Sequence, residues 1–280
     1  MIESLKVADF KAVPYLETSQ LIKNHRKGIL FSTDKPNVIV GPNGAGKSAL
    51  MKALALHTLS YDIGTSNFDD HIVKGSDCDN YWSNESRWGT DFVYLKGFDC
   101  KSDFAPALYY RPGHIPGNDD SIAAAMMCGY FKEAKDYALL VDKKSSGQQS
   151  QSLLKKLLEH LSGKAKPLSF SYVNWSNGKE PKVIDRHRGW IGPWEHQAEV
   201  LKKTYGHAAQ DARPVMLMDE PEQSLDARAE ALLWKQIADA NCRKLQIIVA
   251  THSLYPFMHP EKFNIIEAIP GYLEGVQSLI

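Results

Sequence analysis

Paired cysteines are missing from this sequence. Its four cysteines, Cys78, Cys100, Cys128 and Cys242, lie far apart and form no CxxC. That excludes a zinc ribbon and a disulfide framework, and free thiols in a reducing compartment are expected. The ten histidines fall into no HExxH or comparable metal spacing. No apolar run approaches the length needed to cross a bilayer. The opening Met1-Ile2-Glu3-Ser4-Leu5-Lys6 lacks the apolar core of a signal peptide, so a cytoplasmic protein without membrane insertion is expected. Neither sign of charge dominates: Lys+Arg and Asp+Glu number 33 each. This excludes a globally basic chain that coats nucleic acid and leaves only a local basic face. Internal repeats, low-complexity tracts and heptad arrays are absent as well, which excludes long coiled-coil arms.

What is present is an ordinary globular composition, 43% hydrophobic and 24% charged over 280 residues. That length suits one large α/β domain, or one domain carrying an insertion. Leu5 to Phe10 reads as a short strand by alternation. Asn37-Val38-Ile39-Val40 is apolar without alternation, which suits a strand buried on both faces of a parallel sheet. Ala49 to Leu59 has helical spacing and good helix formers. The stretch from about 62 to 118 reads as loop, with one strand at Phe92–Leu95. Helices are expected over Ser121–Leu140, Gln151–Leu161 and Trp194–Tyr205. Leu168–Val173 reads as β, before a turn at Asn177-Gly178. Val215–Met218, Asp226–Ala240 and Leu245–Ala250 read as strand, helix, strand, a parallel βαβ unit.

The run Gly41-Pro42-Asn43-Gly44-Ala45-Gly46-Lys47-Ser48 fits GxxxxGK[ST] in full. Its glycines let the loop curl so that backbone N–H groups face phosphate oxygens. Lys47 adds positive charge near the β- and γ-phosphates, and the Ser48 hydroxyl suits Mg²⁺. The helix entered through Ala49 adds the positive end of its dipole. ATP and Mg²⁺ are the expected ligands. Val215 to Met218 then delivers Asp219 and Glu220 at a strand's carboxyl end, the edge where open α/β sheets bind ligands. Asp219 is the metal candidate beside Ser48, and Glu220 the base that accepts a proton from the attacking water. His252 follows a second buried strand. Alone it reads as a surface or core histidine; behind these two motifs it reads as a group reaching the γ-phosphate.

These elements, in this order, resemble the ABC-type P-loop ATPases: Walker A at Gly41–Ser48, Walker B at Val215–Glu220, a D-loop at Ser224–Asp226 and a switch histidine at His252. The opening Ile2 to Lys11, the Asp-Glu-Pro-Glu at 219–222 and Thr251-His252-Ser253 are similar to the RecF/SMC/OLD branch. On that resemblance Lys11 approaches the nucleotide, although a solvated lysine is the plainer reading. The implied fold is an ABC-type ATPase head over residues 1–280. It has a mostly parallel central sheet, an N-terminal antiparallel β part and a helical, loop-rich insertion over about 62–190. The implied activity is Mg²⁺-dependent ATP hydrolysis by a head-to-tail homodimer closed around two ATP molecules.

Two departures from the family pattern stand out. Lys144-Ser145-Ser146-Gly147-Gln148-Gln149 resembles the signature motif, with Ser145, Gly147 and Gln148 as contacts to the partner's nucleotide. It stands farther before Asp219 than the family places it. A degenerate rival, Ile191 to Gln197, sits at the usual distance without the serine. No glutamine occurs between Gln20 and Gln148, so the Q-loop has no candidate in its usual place. The resemblance implies a compact ATPase that gates a separately encoded effector, in DNA repair or recombination or in anti-phage defence. A transporter subunit and a binding module with little turnover stay open as alternatives. DNA contact rests on Lys182, Arg186, His187 and Arg188 near Trp190 and Trp194, plus the basic stretch Lys23–Lys27, residues that equally form a solvated face.

Overall fold

The computed structural model describes residues 1–11, 16–57, 61–62, 97–103, 107–110, 112, 154–155, 157–159, 161–162, 169–174, 182–187, 215–223 and 225–280. Along the chain these give strand β1 (Ile2–Val7), helix α1 (Gln20–Asn24), β2 (Ile29–Leu30) and β3 (Asn37–Val40). Next come α2 (Lys47–His57), β4 (Tyr61–Asp62), β5 (Phe98–Ser102) and β6 (Ala107–Tyr110). After β7 (Ser169–Asn174) and β8 (Lys182–His187) come β9 (Val215–Asp219), α3 (Ala227–Ala238) and β10 (Gln246–Ala250). Short helices α4 (Tyr255–Met258) and α5 (Tyr272–Gln277) flank β11 (Asn264–Glu267).

The architecture is mixed α/β. A six-stranded sheet runs β11-β3-β10-β9-β6-β4, and all its neighbouring pairs are parallel. A separate antiparallel sheet, β2-β1-β5, is built from the N-terminal residues and the 98–102 segment. β9 and β10 pair in parallel with α3 between them in sequence, as the βαβ pattern predicts. Asp226 caps α3 by accepting from the N–H groups of Arg228 and Ala229, both at 2.9 Å.

The central strands are apolar on both faces because both faces are covered. Ile39, Leu217 and Ile248 point into a core shared with β1, β5 and α2. Their neighbours Val38, Met216 and Ile247 point the other way, into a core built on Leu233, Trp234 and Ile237 of α3. The two-residue period of a strand splits each run between these layers. Leu154, Leu157 and Leu161 join the second core from helical residues in 154–161, the leucine face expected there. Gln246 links the two sheets: Ile2 N–H donates to its Oε1 at 2.6 Å, and its Nε2 donates back to Ile2 O at 2.7 Å.

Several boundaries differ from the sequence reading. β1 ends at Val7 rather than Phe10 because the N–H groups of Ala8 and Asp9 both turn to Gly97 O, and Asp9 Oδ1 accepts from Lys11 N–H. β5 and β6 lie where loop was expected. In β5 the partners of buried Phe98 on its side are Cys100 and Ser102, too small to show an apolar alternation. Within the expected 62–190 insertion, β5 pairs with the antiparallel sheet and β6 with β9. Lys182–His187, read only as a basic stretch, is a strand hairpinned with β7. The expected elements at 92–95, 121–140 and 194–205 lie outside the described residues. No helix among the described residues is long and apolar enough to cross a membrane.

Candidate functional site

β3, β9 and β10 are neighbours in the sheet. Parallel pairing therefore brings the loops beyond their carboxyl ends to one edge. After Val40 the chain turns through 41–46 and enters α2 at Lys47. Gly46 makes that turn with φ of +97°, and a Cβ there would collide with Ser19 Oγ. Ser19, the N-cap of α1, supports the loop from beneath. Its Oγ donates to Ala45 O at 3.2 Å, and Leu21 N–H donates to the same oxygen at 3.0 Å. Gly41 is needed for close approach, since a Cβ there would collide with that of Ala268.

Lys47 is 4% exposed. Its Nζ donates to Gly41 O at 2.8 Å and Pro42 O at 3.1 Å, and lies 3.0 Å from His252 Nε2. Burial pushes its ammonium below the ordinary lysine value, against the carboxylates of Glu220, Asp219 and Glu222. The first amides of α2 have no acceptor within the helix, and its dipole leaves partial positive charge at that end. The loop is therefore electropositive, and Lys47 spends its donors on its own backbone and on one histidine.

Asp219 is buried at the end of β9. Its Oδ1 accepts from Ser48 Oγ at 3.0 Å and its Oδ2 from Tyr109 OH at 3.3 Å. Glu220 comes next with φ of +49°, unique among the described non-glycine residues; such a backbone costs on the order of 1–3 kcal/mol. The turn is secured by Glu220 N–H donating to Ala250 O at 2.8 Å. From the neighbouring loop, His252 Nε2 comes within 3.5 Å of Glu220 Oε1, both side chains being about one-third exposed.

A cavity of about 290 Å³ is lined by Asn43, Gly44, Gly46 and the 47–49 turn together with Glu220 and His252. Of the remaining loop residues, Gly41 and Pro42 supply the carbonyls that hold Lys47, and Ala45 is buried beneath. Thr18 and Ser19 also line the cavity; the sequence reading does not single them out, although a serine before Gln20 is a helix-cap signal. Tyr109, which the sequence reading places in a loop and gives no part in the site, lies on strand β6. Thr18 is shared with a second cavity of about 730 Å³, whose walls include Leu5, Val7, Phe10 and Ile22 beside Lys23 and Arg26. Lys11 is exposed and lines neither cavity. Ser145, Gly147, Gln148, the rival motif at 191–197 and Ser224 lie outside the described residues.

Two oxygen donors 3.0 Å apart, Ser48 Oγ and Asp219 Oδ1, suit a small hard cation that takes its other ligands from water and phosphate. No group of three or more His, Cys, Asp and Glu side chains that could hold a metal ion occurs among the described residues. No protein-family model matches this sequence, and neither does any curated protein.

Proposed function

We propose that this chain is an ATPase that binds ATP with Mg²⁺ and hydrolyses its terminal phosphoanhydride bond. The observation that carries the reading is the Ser48–Asp219 oxygen pair beside buried Lys47, with Glu220 and His252 lining the same cavity. The triphosphate fits the electropositive loop, with Lys47 and the amides at the start of α2 neutralising its oxygens. Base and ribose fit the larger, partly apolar cavity that meets the first at Thr18. Ser48 and Asp219 hold Mg²⁺, which when bound withdraws charge from the phosphate oxygens. Glu220 accepts a proton as water oxygen attacks the γ-phosphorus; the bond to the bridging oxygen breaks, leaving ADP and inorganic phosphate. Resemblance to ABC-type ATPases extends the proposal to a homodimer closed around two ATP molecules, gating a separately encoded effector in DNA repair or anti-phage defence.

Single-turnover hydrolysis and Mg-ATP binding test this directly. Lys47→Ala is expected to abolish tight nucleotide binding. Glu220→Gln is expected to bind normally and to lose on the order of 10²–10⁴-fold in turnover, the usual contribution of a positioned base. Wild-type protein that neither binds nor hydrolyses Mg-ATP would overturn the reading. Equal turnover in wild type and Glu220→Gln would remove Glu220 from its assigned role.

A further inference from the structure

Glu222 has no part in the chemistry just described, yet it joins the two loops on which that chemistry depends. It stands two residues after Glu220, across Pro221. Its Oε1 accepts from Thr251 Oγ1 at 2.6 Å and from the backbone N–H of His252 at 3.0 Å. Its Oε2 is buried without a hydrogen-bond partner among the described residues. Burial pushes the carboxyl above its ordinary value, with Glu230 adding to the rise and the Thr251 and His252 hydrogen bonds opposing it. A carboxylate in such a place costs stability, so packing alone does not account for it.

The same hydrogen-bonded unit continues along the loop after β10. Ser253 N–H donates to Thr251 Oγ1 at 2.9 Å, and Ser253 Oγ donates to Glu230 Oε1, on α3, at 2.6 Å. On the other side, Thr251 N–H donates to Ile39 O. The backbone around His252 is therefore held from β3, from α3 and from the loop after β9. Glu222 alone among these contacts reaches the amide of His252 itself, and it reaches it from the loop that bears Glu220.

We infer that Glu222 is a positioning residue: one carboxylate oxygen ties the loop after β10 to the loop after β9 and so sets the His252 ring relative to Glu220 and Lys47. Its consequence for turnover rests on the proposed ATPase activity; its hold on His252 does not. Misplacing a reacting group by about an ångström costs on the order of a hundredfold in rate, so the effect belongs in kcat and not in KM.

The test combines kinetics with a measurement on the nucleotide-free protein. Glu222→Ala and Glu222→Asp, which keeps the charge but shortens the reach, are expected to lower kcat by about ten- to a hundredfold with KM for Mg-ATP little changed. Glu222→Gln keeps an acceptor at the same place and is expected to restore most of the rate. In a His252→Ala background, Glu222→Asp is expected to cause no further loss. In ¹⁵N-histidine-labelled protein without nucleotide, the His252 amide proton is expected to move upfield in Glu222→Asp and to stay near its wild-type position in Glu222→Gln. An unmoved amide, or losses that multiply in the double variant, overturns the inference. Wild-type protein that neither binds nor hydrolyses Mg-ATP overturns the ATPase reading instead, and the amide shift still decides the hold of Glu222 on His252.

Discussion

Lys47 Nζ and His252 Nε2 lie 3.0 Å apart across the cavity that the nucleotide is proposed to enter. While Lys47 carries its charge its nitrogen has donors and no acceptor, so this contact then requires Nε2 to accept and the ring proton to sit on Nδ1. The same Nε2 is 3.5 Å from Glu220 Oε1, where it can serve only as a donor. One nitrogen cannot do both. Triphosphate oxygens are stronger acceptors for Lys47 than an imidazole, so their entry is expected to release His252. Imidazole ¹⁵N NMR is expected to show Nε2 unprotonated in the nucleotide-free protein and changed on adding Mg-ATP. An Nε2 that carries the proton before nucleotide is added would contradict this arrangement.

Tyr109 holds Asp219 from the neighbouring strand, and its hydroxyl is aimed at the oxygen that Ser48 does not use. Tyr109→Phe is expected to raise the Mg²⁺ concentration for half-maximal turnover by on the order of tenfold, the low end of what outer partners of a metal site contribute. ATP binding without metal should be unaffected. A magnesium titration of turnover decides the matter, and an unchanged midpoint would leave Tyr109 with a packing role.

Glu222 links stability to pH with a definite sign. Its carboxyl is raised above its ordinary value, chiefly by burial. Between the ordinary and the raised value the folded protein binds more protons than the unfolded chain. Wild-type stability from this group is therefore present at acid pH and lost as pH rises through the raised value. Glu222→Gln is expected to gain in melting temperature relative to wild type on going from pH 4 to pH 8. A gap that narrows over that range would show that the buried carboxylate is not the source.

Gly46→Ala would force a side chain into the left-handed region and against Ser19. The backbone strain alone is about 1–3 kcal/mol, and the collision can be relieved only by moving the cap of α1. Thermal unfolding is expected to fall by several degrees, with nucleotide affinity falling alongside. Gly271→Ala provides the control, because φ there is +79° but nothing lies within 4 Å of the added Cβ. Equal losses at the two positions would assign the effect to strain and not to Ser19.

Much of the site was legible because its chemistry is written in consecutive residues. The proposed phosphate-binding loop needs its glycines, lysine and serine in one run, and Gly41 to Ser48 supplies them. Asp219, Glu220 and His252 were legible for a related reason. Each stands at or just beyond the end of an apolar strand, and parallel strands bring their carboxyl ends to one edge. Tyr109, Ser19 and Glu222 were not legible as contacts. Tyr109 reaches Asp219 because β6 pairs with β9 in a register that sets Tyr109 beside Leu217, and no local pattern announces that pairing. Ser19 meets the loop across a separation of 26 residues, and Glu222 meets Thr251 across 29. The signature candidates at 145–148 and 191–197 fall outside the described residues.

From residue order alone came the glycine-rich loop before α2, the acidic pair behind an apolar strand and the parallel βαβ unit around α3, because local periodicity and contiguous motifs encode them. Only the tertiary structure decided that the 98–102 segment completes an antiparallel sheet with the N-terminus, and that Tyr109 and Glu222 brace Asp219 and His252. The reason is physical: those relationships depend on which strands become neighbours, and that is settled by burying two apolar layers at once, not by any short stretch of chain.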